Sequence, residues 1–243
     1  MAARERVDAL LVERGLCDSR EQAKRLVMAG EVFSGTERVA KPSSRLPVDA
    51  PLRVAARPRY VGRGGLKLEG ALGSFGIDPG GLVCLDVGSS TGGFTDCLLQ
   101  PGALRVHAID VGTNQLAWKL RQDPRVVSRE KFNARHLREE DLGEKVALVV
   151  MDLSFISLTK VLPAVFGVLE EGGSVVCLVK PQFELSRGEV GKGGIVRDSA
   201  LHEKAVDGIR RFVTGDLGRE WRGVIESPIT GTDGNVEFLA WLA

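Results

Sequence analysis

A glycine-rich turn between a predicted strand and a predicted helix is the part of this sequence best suited to chemistry. Residues 82–99 read L-V-C-L-D-V-G-S-S-T-G-G-F-T-D-C-L-L: a short apolar strand, Asp86 at its end, a Gly/Ser turn, and a helix that begins near Gly92. Glycines let the backbone approach a ligand, and the free N–H groups of the helix start face it. The spacing is neither G-x-G-x-x-G nor a P-loop. An acidic residue before G-x-S/G-x-G-G-F favours a methionine-derived ligand with a free amino group.

Further ligand-binding positions follow along the chain. The second predicted strand, 105–110, ends in Asp110, about twenty residues past the glycines, where a carboxylate can bind both hydroxyls of a ribose. The loop after the third strand carries Phe132 and Asn133, and in such folds that loop usually lies against an adenine. The predicted ligand-binding residues are Asp86, Gly88, Ser89, Ser90, Gly92, Gly93, Phe94, Asp110, Phe132 and Asn133.

Charged residues of opposite sign end two apolar central strands. Asp152 follows the run 146–151, and Lys180 follows the run 174–179. Open α/β sheets bind ligands at the carboxyl ends of their strands, so both side chains are expected on the ligand side. Lys67 lies near the start of the first helix of this unit, and Glu237 at the start of its last strand. We expect both to reach the same edge.

The elements that must position these residues predict an α/β sheet with a small domain in front of it. Helices are predicted from about residue 66 and over 111–120, 161–169 and 202–213, with Trp118 packed inward. Segments 221–226 and 235–241 predict a closing antiparallel hairpin. The expected fold is a Rossmann-like, mostly parallel sheet with an antiparallel last strand. We place the small domain at 1–56, a basic linker at 57–63 and the sheet domain at 64–243.

The small domain is predicted to be a helix-helix-sheet module of α+β type. Helical spacing covers residues 6–12, and a second helix, capped by Asp18 or Ser19, runs to about Ala29. That helix has one basic and one apolar face. Short strand-like pieces follow at 32–33, at Val39 and at 52–54.

This segment resembles the alpha-L RNA-binding domain shared by a small-subunit ribosomal protein of the S-four type, pseudouridine synthases and tyrosyl-tRNA synthetases. The likeness lies in R-V-D-A-L-L-V-E-R-G-L, S-R-E-Q-A-K-R-L-V-M-A-G-E-V-F and P-V-D-A-P-L-R-V. The resemblance implies that the basic helix and the adjoining turn contact RNA phosphates. The residues implied are Arg4, Arg6, Arg20, Lys24 and Arg25. Arg63 in the linker and Lys192 and Arg197 in the loop 188–198 are further RNA-binding candidates, although that loop could instead close over the ligand.

The sheet domain resembles the FtsJ-like, S-adenosylmethionine-dependent RNA methyltransferases. The resemblance rests on D-V-G-S-S-T-G-G-F, Asp152, V-K-P-Q-F-E and G-N-V-E-F-L-A-W-L, and Y-V-G-R-G-G-L-K-L with G-K-G-G-I-V-R-D narrows it to the TlyA or hemolysin A family. It implies S-adenosylmethionine as cofactor and ribosomal RNA, at cytidine, as substrate. It also implies the Lys-Asp-Lys-Glu tetrad of ribose 2′-O-methyltransferases, here Lys67, Asp152, Lys180 and Glu237.

These residue types suit methyl transfer to a hydroxyl. A ribose hydroxyl is a poor acid, so positioning and charge stabilisation must supply most of the catalysis. Neutral, Lys180 could accept the proton; charged, it and Lys67 could stabilise the forming oxyanion. Other acceptors fit less well. The chain has D-L-S-F where amine methylation uses Asn/Asp-Pro-Pro-aromatic, and carbon-5 methylation needs a nucleophilic cysteine whereas Cys177 lies within a strand.

Composition narrows the possible classes. Through Gly70 the chain has about 14 lysines and arginines against about 9 acidic residues, and about 19 against 23 thereafter, so RNA binding is expected at the basic end.

The four cysteines form no C-x-x-C pair and are expected to be reduced core residues. The three histidines are dispersed, so no metal site is expected. Without a spanning run or signal peptide, we expect a cytoplasmic protein with no membrane partner.

Two other functions compete with a methyltransferase. A ribosome-binding or assembly factor could carry a non-catalytic methyltransferase fold, and loss of a tetrad residue would favour it; none is lost. The family's other name suggests a membrane-lytic protein, but the sequence has no amphipathic stretch with a large apolar face. Leakage of liposomes would favour that function.

Overall fold

The computed structural model describes residues 3–55 and 58–243, without the Lys192 side chain. They belong to two compact units, Met1–Arg59 and Tyr60–Ala243. The predicted domain bounds and linker remain predictions.

The first unit is a small α+β module. Its elements are β1 (Arg4–Arg6), α1 (Val7–Glu13), α2 (Arg20–Met28), β2 (Val32–Ser34), β3 (Glu37–Arg38), β4 (Arg45–Pro47) and β5 (Leu52–Val54). β3, β2 and β5 form one antiparallel sheet, and β1 pairs with β4 in a separate ribbon. The Ser19 hydroxyl accepts the Gln22 N–H at 3.2 Å and caps α2. Val7, Leu11 and Val27 lie in a core between the two helices and the sheet.

The second unit alternates strands with helices. Its elements are α3 (Gly64–Phe75), β6 (Val83–Val87), α4 (Gly93–Leu99), β7 (Arg105–Ile109), α5 (Trp118–Arg121), β8 (Val126–Arg129), α6 (Glu139–Leu142), β9 (Val146–Met151), α7 (Leu162–Val168), β10 (Leu169–Val179), α8 (Pro181–Glu184), α9 (Ser199–Arg211), β11 (Trp221–Glu226) and β12 (Phe238–Leu242). Short 3-10 turns lie at Ala134–His136, Leu158–Lys160 and Lys192–Gly194, and a π-helix, Phe212–Asp216, continues α9.

The seven strands of this unit confirm the predicted α/β class. Their order is β11-β12-β10-β9-β6-β7-β8; strands β6 to β10 pair in parallel, and β12 runs antiparallel to both neighbours. Successive residues of β6 point to opposite faces, which places Cys84 in one apolar cluster and Leu85 and Val87 in another. The strand order reverses at β6, so the crevice that such sheets use for ligands opens beyond its carboxyl end.

Four secondary-structure expectations need correction. The predicted helix 111–120 is only α5, because Asn114 turns the chain at φ 56° and its N–H is held by Glu130. Trp118, predicted to pack inward, has 73% of its surface exposed. β10 begins at Leu169 rather than Ser174, because a register shift between these residues absorbs Gly172–Gly173. In the first unit, Arg6 ends strand β1, and neither β1 nor β4 was predicted.

Candidate active site

Four parallel strands bring acidic and basic residues to one edge of the sheet. Asp86 is the second-to-last residue of β6. Asp110 follows β7, Asp152 follows β9 and Lys180 follows β10. These strands are neighbours in register, so their carboxyl ends surround one crevice. The geometry of the sheet, rather than any local turn, collects these residues from distant parts of the chain.

Two lysines and two carboxylates form a continuous chain of ion pairs in this crevice. Lys180 Nζ lies 2.6 Å from Asp152 Oδ1, and Lys67 Nζ lies 2.6 Å from Glu237 Oε2. Asp152 Oδ2 links the two pairs at 3.9 Å from Lys67 Nζ. The two lysine side chains are 10% exposed. Close pairing therefore offsets the desolvation of all four charges.

Ser154 is a site residue that the sequence analysis missed. Lys180 Nζ donates to its Oγ at 3.1 Å, so Ser154 and Asp152 receive two of the three ammonium hydrogens. The Ser154 hydroxyl keeps a hydrogen of its own at the mouth of the crevice. Its position two residues after Asp152 was the available signal, because the turn after β9 must bend back towards Lys180.

A cavity of about 270 Å³ opens beside the tetrad. Its lining includes all four charged residues, the predicted turn residues Gly88, Ser89, Ser90, Gly93 and Phe94, and Arg63, Ser154, Thr230 and Thr232. The two threonines come from the loop before β12, which carried no signal in the sequence. Gly231 between them is buried beside Glu237, and an added Cβ there would lie 2.7 Å from Oε1. The loop thus leaves room for the carboxylate only with glycine at that position.

The glycines of the turn are required by close backbone approaches. Gly88 has φ 84°, and a Cβ there would lie 2.6 Å from the Asp152 carbonyl oxygen. A Cβ at Gly93 would lie 2.9 Å from the Gly65 nitrogen. Gly92, with φ 95°, lines neither described cavity of the crevice; a side chain there would collide with Leu120 and Leu116. Gly92 therefore shapes the turn rather than facing the crevice.

A second cavity, of about 600 Å³, continues from the first and shares Gly88, Ser90, Asp152 and Ser154 with it. Asp110, Phe132 and Asn133 line its far end, together with Val111 and Gln115, which were not predicted. Asp110 already accepts the N–H groups of Ser90 at 2.8 Å and Gly112 at 2.7 Å, one on each oxygen. These bonds fix the carboxylate and leave each oxygen with a lone pair for a ligand hydroxyl.

Asp86 lies behind the turn and lines neither cavity, in contrast to the other acidic residues. It is fully buried; Oδ2 accepts the Thr95 hydroxyl at 2.6 Å, and Oδ1 has no hydrogen-bond partner among the described residues. Burial raises the pKa of Asp86 to about 7, against the opposing bond from Thr95. An orphaned buried oxygen beneath the turn fits a donor or water contributed on ligand binding. Together with the glycine cradle, it fits a methionine moiety with a free amino group.

Asp86→Asn is expected to change stability in a pH-dependent way. The folded state binds the proton of the Asp86 carboxyl group more tightly than the unfolded state does. In the wild type, the contribution of this proton to the free energy of unfolding is therefore fully present below about pH 4 and is lost as pH rises to about 7. The variant lacks this loss. Its unfolding free energy relative to wild type should rise by about 2–4 kcal/mol over that window, measured by urea unfolding. The exposed control Asp216→Asn should show a flat difference, and a flat Asp86→Asn curve would contradict the burial argument.

The predicted RNA-binding residues are distributed over both units. In the first unit Arg4, Arg20, Lys24 and Arg25 are exposed and Arg6 is half-buried. In the second unit Arg63 is exposed beside the tetrad cavity and donates to the Thr230 carbonyl at 3.0 Å. Arg197 is exposed but lines neither cavity, and the Lys192 side chain lies outside the described residues. Loop 188–198 is fastened at Val196, whose N–H is accepted by buried Asn235 at 2.9 Å.

The described residues contain neither a metal-binding cluster nor a membrane-spanning helix. In residues 3–55 and 58–243, no group of three or more His, Cys, Asp or Glu side chains is arranged to hold a metal ion. None of the helices in that part of the chain is long and apolar enough to cross a bilayer.

Comparison with known proteins gives the same two-part organisation. The family described as FtsJ-like methyltransferase matches residues 60–243, and the S4 domain family matches residues 5–50. The chain is 49% identical to the 16S/23S rRNA (cytidine-2′-O)-methyltransferase TlyA of Mycobacterium tuberculosis, over 100% of this chain and 91% of that one. It is 43% identical to Hemolysin A of Brachyspira hyodysenteriae, over 97% and 98%. A solved structure of a proposed hemolysin from Streptococcus thermophilus has 48% identity and a TM-score of 0.75, covering 100% of this chain and 89% of that one.

Proposed function

The chain belongs to the FtsJ-like methyltransferase family and carries an S4 domain, and we propose that it methylates a ribose 2′-oxygen of ribosomal RNA, at cytidine, using S-adenosylmethionine. The observation that carries this proposal is the paired Lys67–Glu237 and Lys180–Asp152 beside the glycine turn. The activity in the name of the Mycobacterium tuberculosis relative, an rRNA (cytidine-2′-O)-methyltransferase, supports this substrate. Ribosomal RNA as substrate would also place the protein in the cytoplasm.

The residues present fit S-adenosylmethionine along the two joined cavities. Asp110 would bind the ribose hydroxyls, Phe132 and Asn133 the adenine, and the turn from Gly88 to Phe94 the methionine end, with the buried Asp86 carboxylate behind that turn. When bound, S-adenosylmethionine would supply a methyl group on its sulfonium sulfur, and this group would pass to an attacking oxygen in line as the carbon–sulfur bond breaks and the thioether leaves. The tetrad then lies at the methionine end, where that oxygen must enter.

The tetrad would position and activate the acceptor hydroxyl. With Asp152 and Ser154 both bound to Lys180 Nζ, the remaining position of this nitrogen, a hydrogen if it is charged or a lone pair if it is neutral, can face the acceptor hydroxyl in the cavity. Asp152 and Glu237 fix the two lysines, so little reorganisation is needed when charge develops on the oxygen. As the oxygen–methyl bond forms, the hydroxyl proton leaves the oxygen, to Lys180 if that amine is neutral or to solvent if it is charged.

Transfer of a labelled methyl group tests the proposal directly. Wild-type protein is incubated with labelled S-adenosylmethionine and unmodified ribosomal subunits or free rRNA, and nuclease digestion then locates the label. We expect label on the 2′-oxygen of a cytidine. Label on a base would contradict the 2′-oxygen as acceptor, and no label on any RNA despite tight cofactor binding would contradict catalysis and favour a binding factor.

Asp110→Ala is expected to weaken S-adenosylmethionine binding by ~10- to 100-fold, because charged hydrogen bonds to two hydroxyls would be lost. Isothermal titration calorimetry measures the affinity. Asp207→Ala, which removes an exposed carboxylate from α9, should bind like wild type. An unaltered titration of Asp110→Ala would remove the ribose assignment.

A further inference from the structure

Two of the predicted RNA-binding residues of the first unit, Arg6 and Arg20, lie against a carboxylate that has no assigned role. Asp8, in the first turn of α1, is 2% exposed. The Arg6 guanidinium donates two hydrogen bonds to this carboxylate, from Nε to Oδ1 at 3.0 Å and from a terminal nitrogen to Oδ2 at 2.8 Å. A terminal nitrogen of Arg20 lies 3.8 Å from the same Oδ1. One buried carboxylate therefore holds two cations from different elements.

Both arginines keep donors available for a partner. Their side chains remain 39% and 59% exposed, although Asp8 is buried. Arg6 uses two of its five N–H groups on Asp8 and has three left. The bonds to Arg6 hold the pKa of Asp8 below its usual range, so the carboxylate stays ionised at neutral pH. The Arg6 guanidinium is thus fixed before any ligand arrives, and Arg20 forms an ion pair with the same carboxylate.

A third arginine shares this surface through the β1–β4 ribbon. Arg45 lies directly opposite Arg6 in the antiparallel register, and directly opposed residues project to the same face. Arg45 is exposed, and its carbonyl accepts a bond from Arg4 at 2.8 Å. Asp8 pairs with two guanidinium groups, and Arg45 adds a third from the neighbouring strand, so this surface has an excess of positive charge that suits phosphate groups of RNA.

We propose that Asp8 is a positioning residue that holds Arg6 and Arg20 as a preformed phosphate-binding pair, with Arg45 as the third cation of the same surface. This inference rests on the proposed RNA-binding function. Without Asp8, the two arginines would repel each other and lose their fixed orientation, so each phosphate contact would require ordering of a free side chain.

The proposal predicts a change in RNA affinity opposite to the one expected from the loss of a negative charge alone. Removing a negative charge beside a polyanion site should strengthen RNA binding, yet Asp8→Asn is expected to weaken it ~3- to 10-fold. The full-length protein is titrated with purified ribosomal subunits and with a fluorescein-labelled RNA hairpin at several salt concentrations. We also expect the slope of log affinity against log salt to become shallower by about 1. Glu21→Gln, the matched loss of an exposed carboxylate from α2, should bind equally or more tightly.

A mutant cycle separates positioning from folding and from the proposed function. In an Arg6→Gln/Arg20→Gln background, Asp8→Asn should cause no further loss, whereas a loss caused by unfolding would persist there and would overturn the proposal. Asp8→Asn that binds as tightly as wild type would also overturn it. If Arg6→Gln/Arg20→Gln itself binds like wild type, then RNA docking by this surface, and not only the role of Asp8, is wrong.

Discussion

Replacing Lys180 by alanine is expected to lower methyl transfer to ribosomal RNA by ~10²- to 10⁴-fold while S-adenosylmethionine affinity stays within a few-fold of wild type. The substitution removes the amine to which Asp152 and Ser154 both bind. Asp152 then loses the cation at 2.6 Å and keeps Lys67 at 3.9 Å. The acceptor hydroxyl loses its closest donor or base, whereas the ribose and adenine end of the cofactor cavity is unchanged.

The measurement is single-turnover transfer of labelled methyl groups, with calorimetry for the cofactor. Lys204→Ala is the matched control, since Lys204 is an exposed lysine of the same unit that pairs with Glu189. Equal activity of Lys180→Ala and wild type would remove Lys180 from the mechanism. A parallel loss of cofactor binding would show that the residue acts on binding rather than on transfer.

Lys180→Arg distinguishes the two roles left open for this lysine. Arginine remains charged throughout the accessible pH range and cannot accept a proton. Partial activity of this variant would favour a charged group that stabilises the oxyanion, and inactivity equal to that of alanine would favour a neutral base. The same comparison made across pH would show whether the rate follows deprotonation of one group.

Long apolar runs made the catalytic edge predictable from the sequence. Both ends of the strand 146–151 were predicted correctly, and Lys180 follows its strand as expected. Buried parallel strands can be recognised in this way because they are nearly continuous in apolar residues. The carboxyl ends of such strands necessarily share one edge. The meeting of Asp152 and Lys180 therefore followed from local patterns and a general rule of sheet topology.

Features that depend on non-local pairing were not predictable in the same way. β1 and β4 are three residues each, β1 entirely charged and β4 composed of Arg45, Leu46 and Pro47, so no periodicity distinguished them, and the place of Arg45 beside Arg6 went unseen. Trp118 was interpreted as a packing residue rather than a ligand contact, but the bonds of Asp110 and Glu130 to the preceding loop leave it outside the core. The threonines of the last loop have no signal until the tetrad is assembled, and the signal for Ser154 was only its position two residues after Asp152. Each is defined by a contact across the chain rather than by its neighbours.

Deleting residues 1–57 is expected to separate docking from cofactor binding. The remaining chain contains the compact unit Tyr60–Ala243, both cavities and the whole tetrad, so S-adenosylmethionine affinity should stay within a few-fold of wild type. Methylation of ribosomal subunits should fall by ~10²- to 10⁴-fold, close to abolition, because the second binding module no longer raises the local concentration of substrate. Calorimetry and labelled methyl transfer measure the two quantities on the same preparation.

Salt dependence gives this last experiment its control. Phosphate contacts release counterions, so methylation by the full chain should fall steeply with salt, and residual methylation by the truncated chain should depend on salt less steeply. The variant Arg6→Gln/Arg20→Gln, with every element in place, should lie between the two. Unchanged activity of the truncated chain on subunits would contradict the docking role of the S4 domain. Joint loss of cofactor binding and activity would show instead that the methyltransferase unit needs the first unit for its own site, and docking and catalysis would then have to be treated as one function.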